Sequence, residues 1–146
     1  MGYTELIMII SGFIGSLGFA LLFNIRGKRF IATGFGGLLA TVLYVLFDKL
    51  IQTEAITYFL VAVIIAIYAE IMARILKTPS TTFITTSLVP LIPGSSLYYT
   101  MTYALESDIE NFLNKGIYTL SLASSLALGI IIIAAFTKIV YKLKSR

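Results

Sequence analysis

Apolar residues come along the chain in five long runs, about 6–23, 30–47, 55–73, 81–104 and 117–140, with short polar segments between them. Each run lies in the length range of a bilayer-crossing helix, which needs roughly 20 predominantly apolar residues. The pattern predicts an all-α integral membrane protein with five transmembrane helices in a single domain, 1–146. One run is interrupted. "SLVPLIPGSSLYYT", residues 87–100, places Pro90, Pro93 and Gly94 where a spanning helix most needs its hydrogen bonds. A proline removes a backbone donor and clashes with the carbonyl one turn back, and lipid has no water to satisfy what is freed. The fourth helix is therefore expected to be broken at Pro90–Gly94, near mid-membrane, in a place enclosed by protein or lining a cavity.

Composition supports the membrane and narrows the chemistry. The hydrophobic fraction is 58% and the charged fraction 12%, against roughly 25% charged in soluble domains, and mean hydropathy is +0.96. The absence of cysteine excludes disulfides, thiolate metal sites and cysteine nucleophiles, and the absence of histidine removes the commonest metal ligand and proton shuttle. No metal, cofactor or catalytic residue is expected, and no acid pair lies within the apolar runs to suggest a membrane-embedded enzyme.

Charge placement orients the chain. Arg26, Lys28, Arg29, Arg74, Lys77, Lys138, Lys142, Lys144 and Arg146 lie on one side, and on the other lie only Lys49 and Lys115 among the cations, with six of the seven acids. The positive-inside rule makes the basic side cytoplasmic, so the N-terminus is outside and the C-terminus inside. The first run lacks the basic leader of a signal peptide, its cations "NIRGKR" following it, and reads as a retained helix. The net charge of +4 is thus a topology signal and not a nucleic-acid patch. Tyr3, Tyr58, Tyr103 and Tyr118 fall near the outer ends, where amphipathic rings favour the interface. Small residues four apart, Gly12/Ser16, Ser11/Gly15, Ala32/Gly36/Ala40 and Ser121/Ser125/Gly129, predict close helix packing.

Two places could carry function. Glu70 lies in the inner half of the third run, and an ionisable group at such depth is a candidate for coupling or substrate binding. Arg74, four residues on, offers the plainer reading of an i,i+4 ion pair whose arginine snorkels to the interface. Around the break cluster Thr82, Thr85, Thr86, Ser95 and Ser96, a hydroxyl density that a lipid-facing helix does not need. Ser95 and Ser96 suit the N-cap of a second half-helix, whose free N–H groups and positive dipole end favour an anion. Gly94 is expected to permit close approach, or a left-handed backbone, after Pro93. The bland alternative is a kink satisfied by neighbouring hydroxyls.

The passages "PSTTFITTSLVPLIPGSSLYYTM" and "GFALLFNIRGKRFIATGFGG" resemble the threonine/serine exporter family, its small YjjB-like subunit, over nearly the whole chain. The resemblance implies a two-part transporter of two five-helix units in a bacterial or archaeal cell (inner) membrane, one unit being preceded by a cytosolic helical domain. The family exports threonine and serine, and split members are associated with succinate export. This chain corresponds to the small half, so its expected partner is a larger companion subunit with five helices and a cytosolic domain, or else a second copy of itself. An odd number of spans suits an inverted repeat around a midplane site. Export of small carboxylate metabolites is the expected function. A non-transporting membrane partner that stabilises a larger subunit is the alternative.

Overall fold

The computed structural model describes residues 2–144, so Arg146 of the basic tail lies outside the described residues. The helices are α1 (Tyr3–Leu22), α2 (Lys28–Leu50), α3 (Glu54–Ile75), α4 (Ser80–Leu88), a 3-10 turn (Val89–Leu91), α5 (Gly94–Leu105) and α6 (Ile109–Lys144). There is no strand among the described residues. Among the described residues, four helices are long and apolar enough to cross a membrane: α1, α2, α3 and α6 over Ile109–Val140. The fourth predicted run is not among them, because it is divided into two short helices.

Turns are set by three residues in the left-handed region, Asn24, Lys77 and Ser107. Each follows the end of a helix, and the next N–H returns to the carbonyl five residues back: Ile25 to Ala20 at 2.9 Å, Thr78 to Ala73 at 3.0 Å, Asp108 to Tyr103 at 3.0 Å. This is the Schellman closure, which satisfies carbonyls that α1, α3 and α5 would otherwise leave unpaired. Only Asn24 is a residue type that advertises such a turn. The sixth helix begins eight residues before the predicted run, since Asp108 accepts bonds from the Asn111 backbone N–H at 3.2 Å and side-chain amide at 2.7 Å. Those bonds hold the Asp108 carboxyl below its ordinary pKa.

The helices run between an acidic end and a basic end. At the acidic end Lys49 pairs with Glu5 at 2.7 Å, joining the end of α2 to the start of α1. At the other, Phe23 and Ile25 of the first turn meet Thr81 and Thr82 of α4. Helix α6 lies parallel to α3: Tyr118 reaches Glu54, and Gly129 lies against Ala62 further along. Helix α4 packs between α2 and α3, whereas α5 packs on α6. The core between them contains Val61, Ile65, Leu91 and Leu122, all nearly inaccessible.

Close approach depends on glycine at specific points. A Cβ on Gly37 would lie 1.8 Å from Ser16 Oγ, one on Gly36 1.9 Å from Ser87 Oγ, and one on Gly129 2.9 Å from the Phe59 carbonyl. The Gly12/Ser16, Ala32/Gly36/Ala40 and Gly129 positions thus do the packing that the spacing predicted. Ser11/Gly15 does not: nothing approaches a Gly15 Cβ within 4 Å, and Ser121 is exposed. Ser11 and Gly15 instead border a groove beside Pro90, and Ser121 lies on an outer face of α6.

Candidate functional site

The break is built by three features in sequence. Helix α4 stops at Leu88, the Val89–Leu91 turn buries Leu91, and Ile92 is extended before Pro93. The Ile92 N–H bonds the Val89 carbonyl at 3.1 Å and the Gly94 N–H bonds the Ile92 carbonyl at 2.6 Å. Helix α5 then begins with Pro93 as its N-cap and no side-chain cap. Ser95 and Ser96 are therefore not caps, as the sequence suggested; they sit within the first helical turn. Gly94 is not in the left-handed region and a Cβ there would meet nothing within 4 Å, so neither strain nor crowding explains this glycine. Its N–H is already engaged. The amides of Ser95 and Ser96, inside the first turn of α5, have no intrahelical carbonyl to reach. Ser95 is exposed and Ser96 buried.

The remaining predicted residues do not converge on this point. Thr82 and Thr85 line a recess of about 290 Å³ with Thr81, Phe23 and Ile25, beside the first turn. Pro90 lines a different groove of about 200 Å³ with Ser11, Gly15, Thr41 and Met8. Glu70 and Arg74 line a third, about 460 Å³, with Lys77, Thr78 and Ser80 where α3 hands over to α4. Thr86 lines none of these: it is buried and donates to the Thr82 carbonyl at 2.8 Å. The same back-bonding engages Thr100 with the Ser96 carbonyl at 2.8 Å and Thr102 with the Tyr98 carbonyl at 3.1 Å. Much of the hydroxyl density in this segment therefore serves its own helices.

Among the described residues, three buried hydroxyls lack a partner: Ser16, Thr57 and Ser87. Ser16 and Ser87 are those seated against Gly37 and Gly36. The sequence assigns Ser11 to packing and does not single out Thr41, yet both line the groove with Pro90, from α1 and α2. Sequence reading also passed over a polar group that joins three helices. Glu54, half-buried at the start of α3, accepts hydrogen bonds from Tyr44 of α2 at 3.2 Å and from Tyr118 of α6. Tyr58 packs edge-on against Tyr44, with ring centroids 5.5 Å apart, and Lys115 Nζ sits 4.9 Å above the Tyr118 ring. Tyr58 is buried and Tyr118 partly exposed, and both have partners within the protein at the acidic end.

Several helices of membrane length with one divided segment fit a multi-pass membrane protein. The family assignment follows from comparison: residues 8–136 match the family model described as "Threonine/Serine exporter, ThrE", and the chain belongs to that family. No curated protein and no solved structure matches it. Membership makes this a membrane protein of exporter type and not one of an enzyme family.

Proposed function

We propose that the chain is the small transport subunit of an exporter of carboxylate-bearing metabolites, threonine and serine or a dicarboxylate such as succinate, working with a second five-helix unit. The observation that carries the reading is the break itself, with α4 held by α2 and α3, α5 held by α6, and the Ser95 and Ser96 amides left without helical partners between them. Such amides, at the positive end of α5, suit a carboxylate. The Thr82 and Thr85 recess and the Pro90 groove are stations on the way to it. In this scheme α4 and α5 together make the fifth crossing, with the basic end in the cytoplasm of a bacterial or archaeal cell.

The test is Gly94→Val. Nothing in the fold resists a side chain at Gly94, so expression and thermal stability should match wild type. Export from cells that also make the companion subunit should fall at least tenfold, because the branched side chain stands where a carboxylate must approach. Wild-type export from Gly94→Val at equal expression would make the break a packing kink and leave the alternative, a non-transporting partner. Ser95→Ala should change export little, since that hydroxyl caps nothing.

Orientation has its own test. The sequence has no native cysteine, so single cysteines at Lys28 and Lys115 report on the two ends. In intact cells an impermeant thiol reagent should label the second and spare the first. The reverse pattern would place the basic loops outside and sink the topology.

A further inference from the structure

In the recess between the end of α3 and the start of α4, acidic and basic side chains line one space. Glu70, half-buried, lines it from α3; Arg74 follows four residues on along the same helix, and Lys77 lies in the left-handed turn beyond. Thr78 and Ser80 add hydroxyls, and the recess holds about 460 Å³, ample for a molecule of serine size when a liquid water takes roughly 30 Å³. The carboxylate of Glu70 accepts only, and the two cations donate only. By residue type the set is one acid and two bases. The Ser80 amide, in the first turn of α4, has no intrahelical acceptor and adds to the positive side.

We propose that this recess binds the head group of a free amino acid, with Glu70 taking the α-ammonium and Lys77 and Arg74 the α-carboxylate. Arg74 has five N–H donors, so contact with Glu70 and with a ligand carboxylate are compatible. A dicarboxylate would bring a second negative charge against Glu70, whereas a zwitterion brings the opposite charge, so the recess selects between the two substrate classes of the transport reading. The inference rests on that reading for its purpose and not for its chemistry. The recess is separate from the break, and it sits at the basic end, where a substrate leaving the cytoplasm would first meet the protein. The head group of phosphatidylethanolamine presents the same pair of charges from another source, and the experiment separates the two.

Saturation-transfer NMR on the detergent-solubilised protein, free of phosphatidylethanolamine, would compare L-serine with 3-hydroxypropanoate, which lacks the ammonium, and ethanolamine, which lacks the carboxylate. Each truncation should bind about tenfold more weakly than serine, the scale of one charge-assisted contact. In Glu70→Gln, serine should fall to the level of 3-hydroxypropanoate while 3-hydroxypropanoate itself is unchanged or improved. In Lys77→Gln, serine should fall towards ethanolamine. A misfolded variant would lose all three ligands together and cannot produce this crossed pattern. The proposal is overturned if Glu70→Gln weakens serine and 3-hydroxypropanoate alike, if serine binds no better than its fragments, or if added phosphatidylethanolamine displaces serine from the wild-type protein. If the crossed pattern holds but no export is found with the companion subunit present, the recess stands and the transport reading fails.

Discussion

Valine in place of Gly37 is expected to leave almost no folded protein in the membrane fraction. The added Cβ would lie 1.8 Å from Ser16 Oγ and 3.0 Å from the Gly12 carbonyl oxygen, and the second of these is backbone that cannot rotate away. Gly12 is itself filled by Thr41, whose methyl carbon would lie 2.2 Å from a Cβ there, so α1 and α2 are locked at two adjacent levels. Forcing extra volume into a close-packed contact costs about 1–3 kcal/mol, and a branched residue against fixed backbone should reach the top of that range or pass it. A membrane domain of ordinary marginal stability would not survive such a loss in detergent. The control is Gly15→Val on the neighbouring face, where a Cβ meets nothing within 4 Å and the melting temperature should hold. Size-exclusion profiles after a heating series would read both. Equal melting of the two variants would mean that α1 and α2 do not approach as described.

Glu54→Ala should be the second severe change, and its signature is non-additivity. The carboxylate accepts from Tyr44 and Tyr118 and so ties α2, α3 and α6 at one end. Its removal orphans two hydroxyls in a partly buried setting. Hydrogen bonds to a charged group contribute about 1.5–3 kcal/mol each; solvent at the half-exposed edge reduces this, so a total loss of roughly 2 kcal/mol is expected. Tyr44→Phe and Tyr118→Phe should each cost less alone. In the Glu54→Ala background both should become nearly neutral, because the acceptor is already gone. Denaturant titration of wild type, the three single variants and the two double variants measures this. Full additivity would show that the three residues do not form one network.

The legible part of the fold was whatever depends on local composition. Long apolar runs set the helices, and Pro90 and Pro93 set the break, because a missing N–H is a property of the residue and not of its surroundings. The glycines at 12, 36 and 129 could be read as packing points for a similar reason. The unread part depends on which side of a helix faces a neighbour. Ser11 and Gly15 have the same spacing as Gly12 and Ser16, yet one register faces α2 and the other a groove. Ser95 and Ser96 have capping side chains, but Pro93 took the cap position and carried both into the helix. Thr86 reads as a lining hydroxyl until its bond to the Thr82 carbonyl is seen. Glu54 gave no signal because an acid near a helix start is ordinary, and its tyrosines lie 10 and 64 residues away in the chain. Glu70 was noticed for its depth, while Lys77, which joins it in one recess, passed for a loop cation.

The parallel course of α3 and α6 has a consequence for the lipid around them. In α6 the uncharged stretch from Gly116 to Thr137 spans about 33 Å, while in α3 the stretch from Ala55 to Ala69 spans about 22 Å. One helix thus exceeds a typical acyl-chain thickness and its neighbour falls short of it. A bilayer meets that step by tilting of the longer helix and by thinning beside the shorter one, at fractions of a kcal/mol per Å of mismatch. The corner that would thin is where Glu70 ends the uncharged stretch of α3, so headgroups in a bilayer of typical thickness would dip towards the recess and bring water with them. Shorter acyl chains would flatten the step and longer ones would steepen it, which makes acyl-chain length a natural control on how wet that recess is.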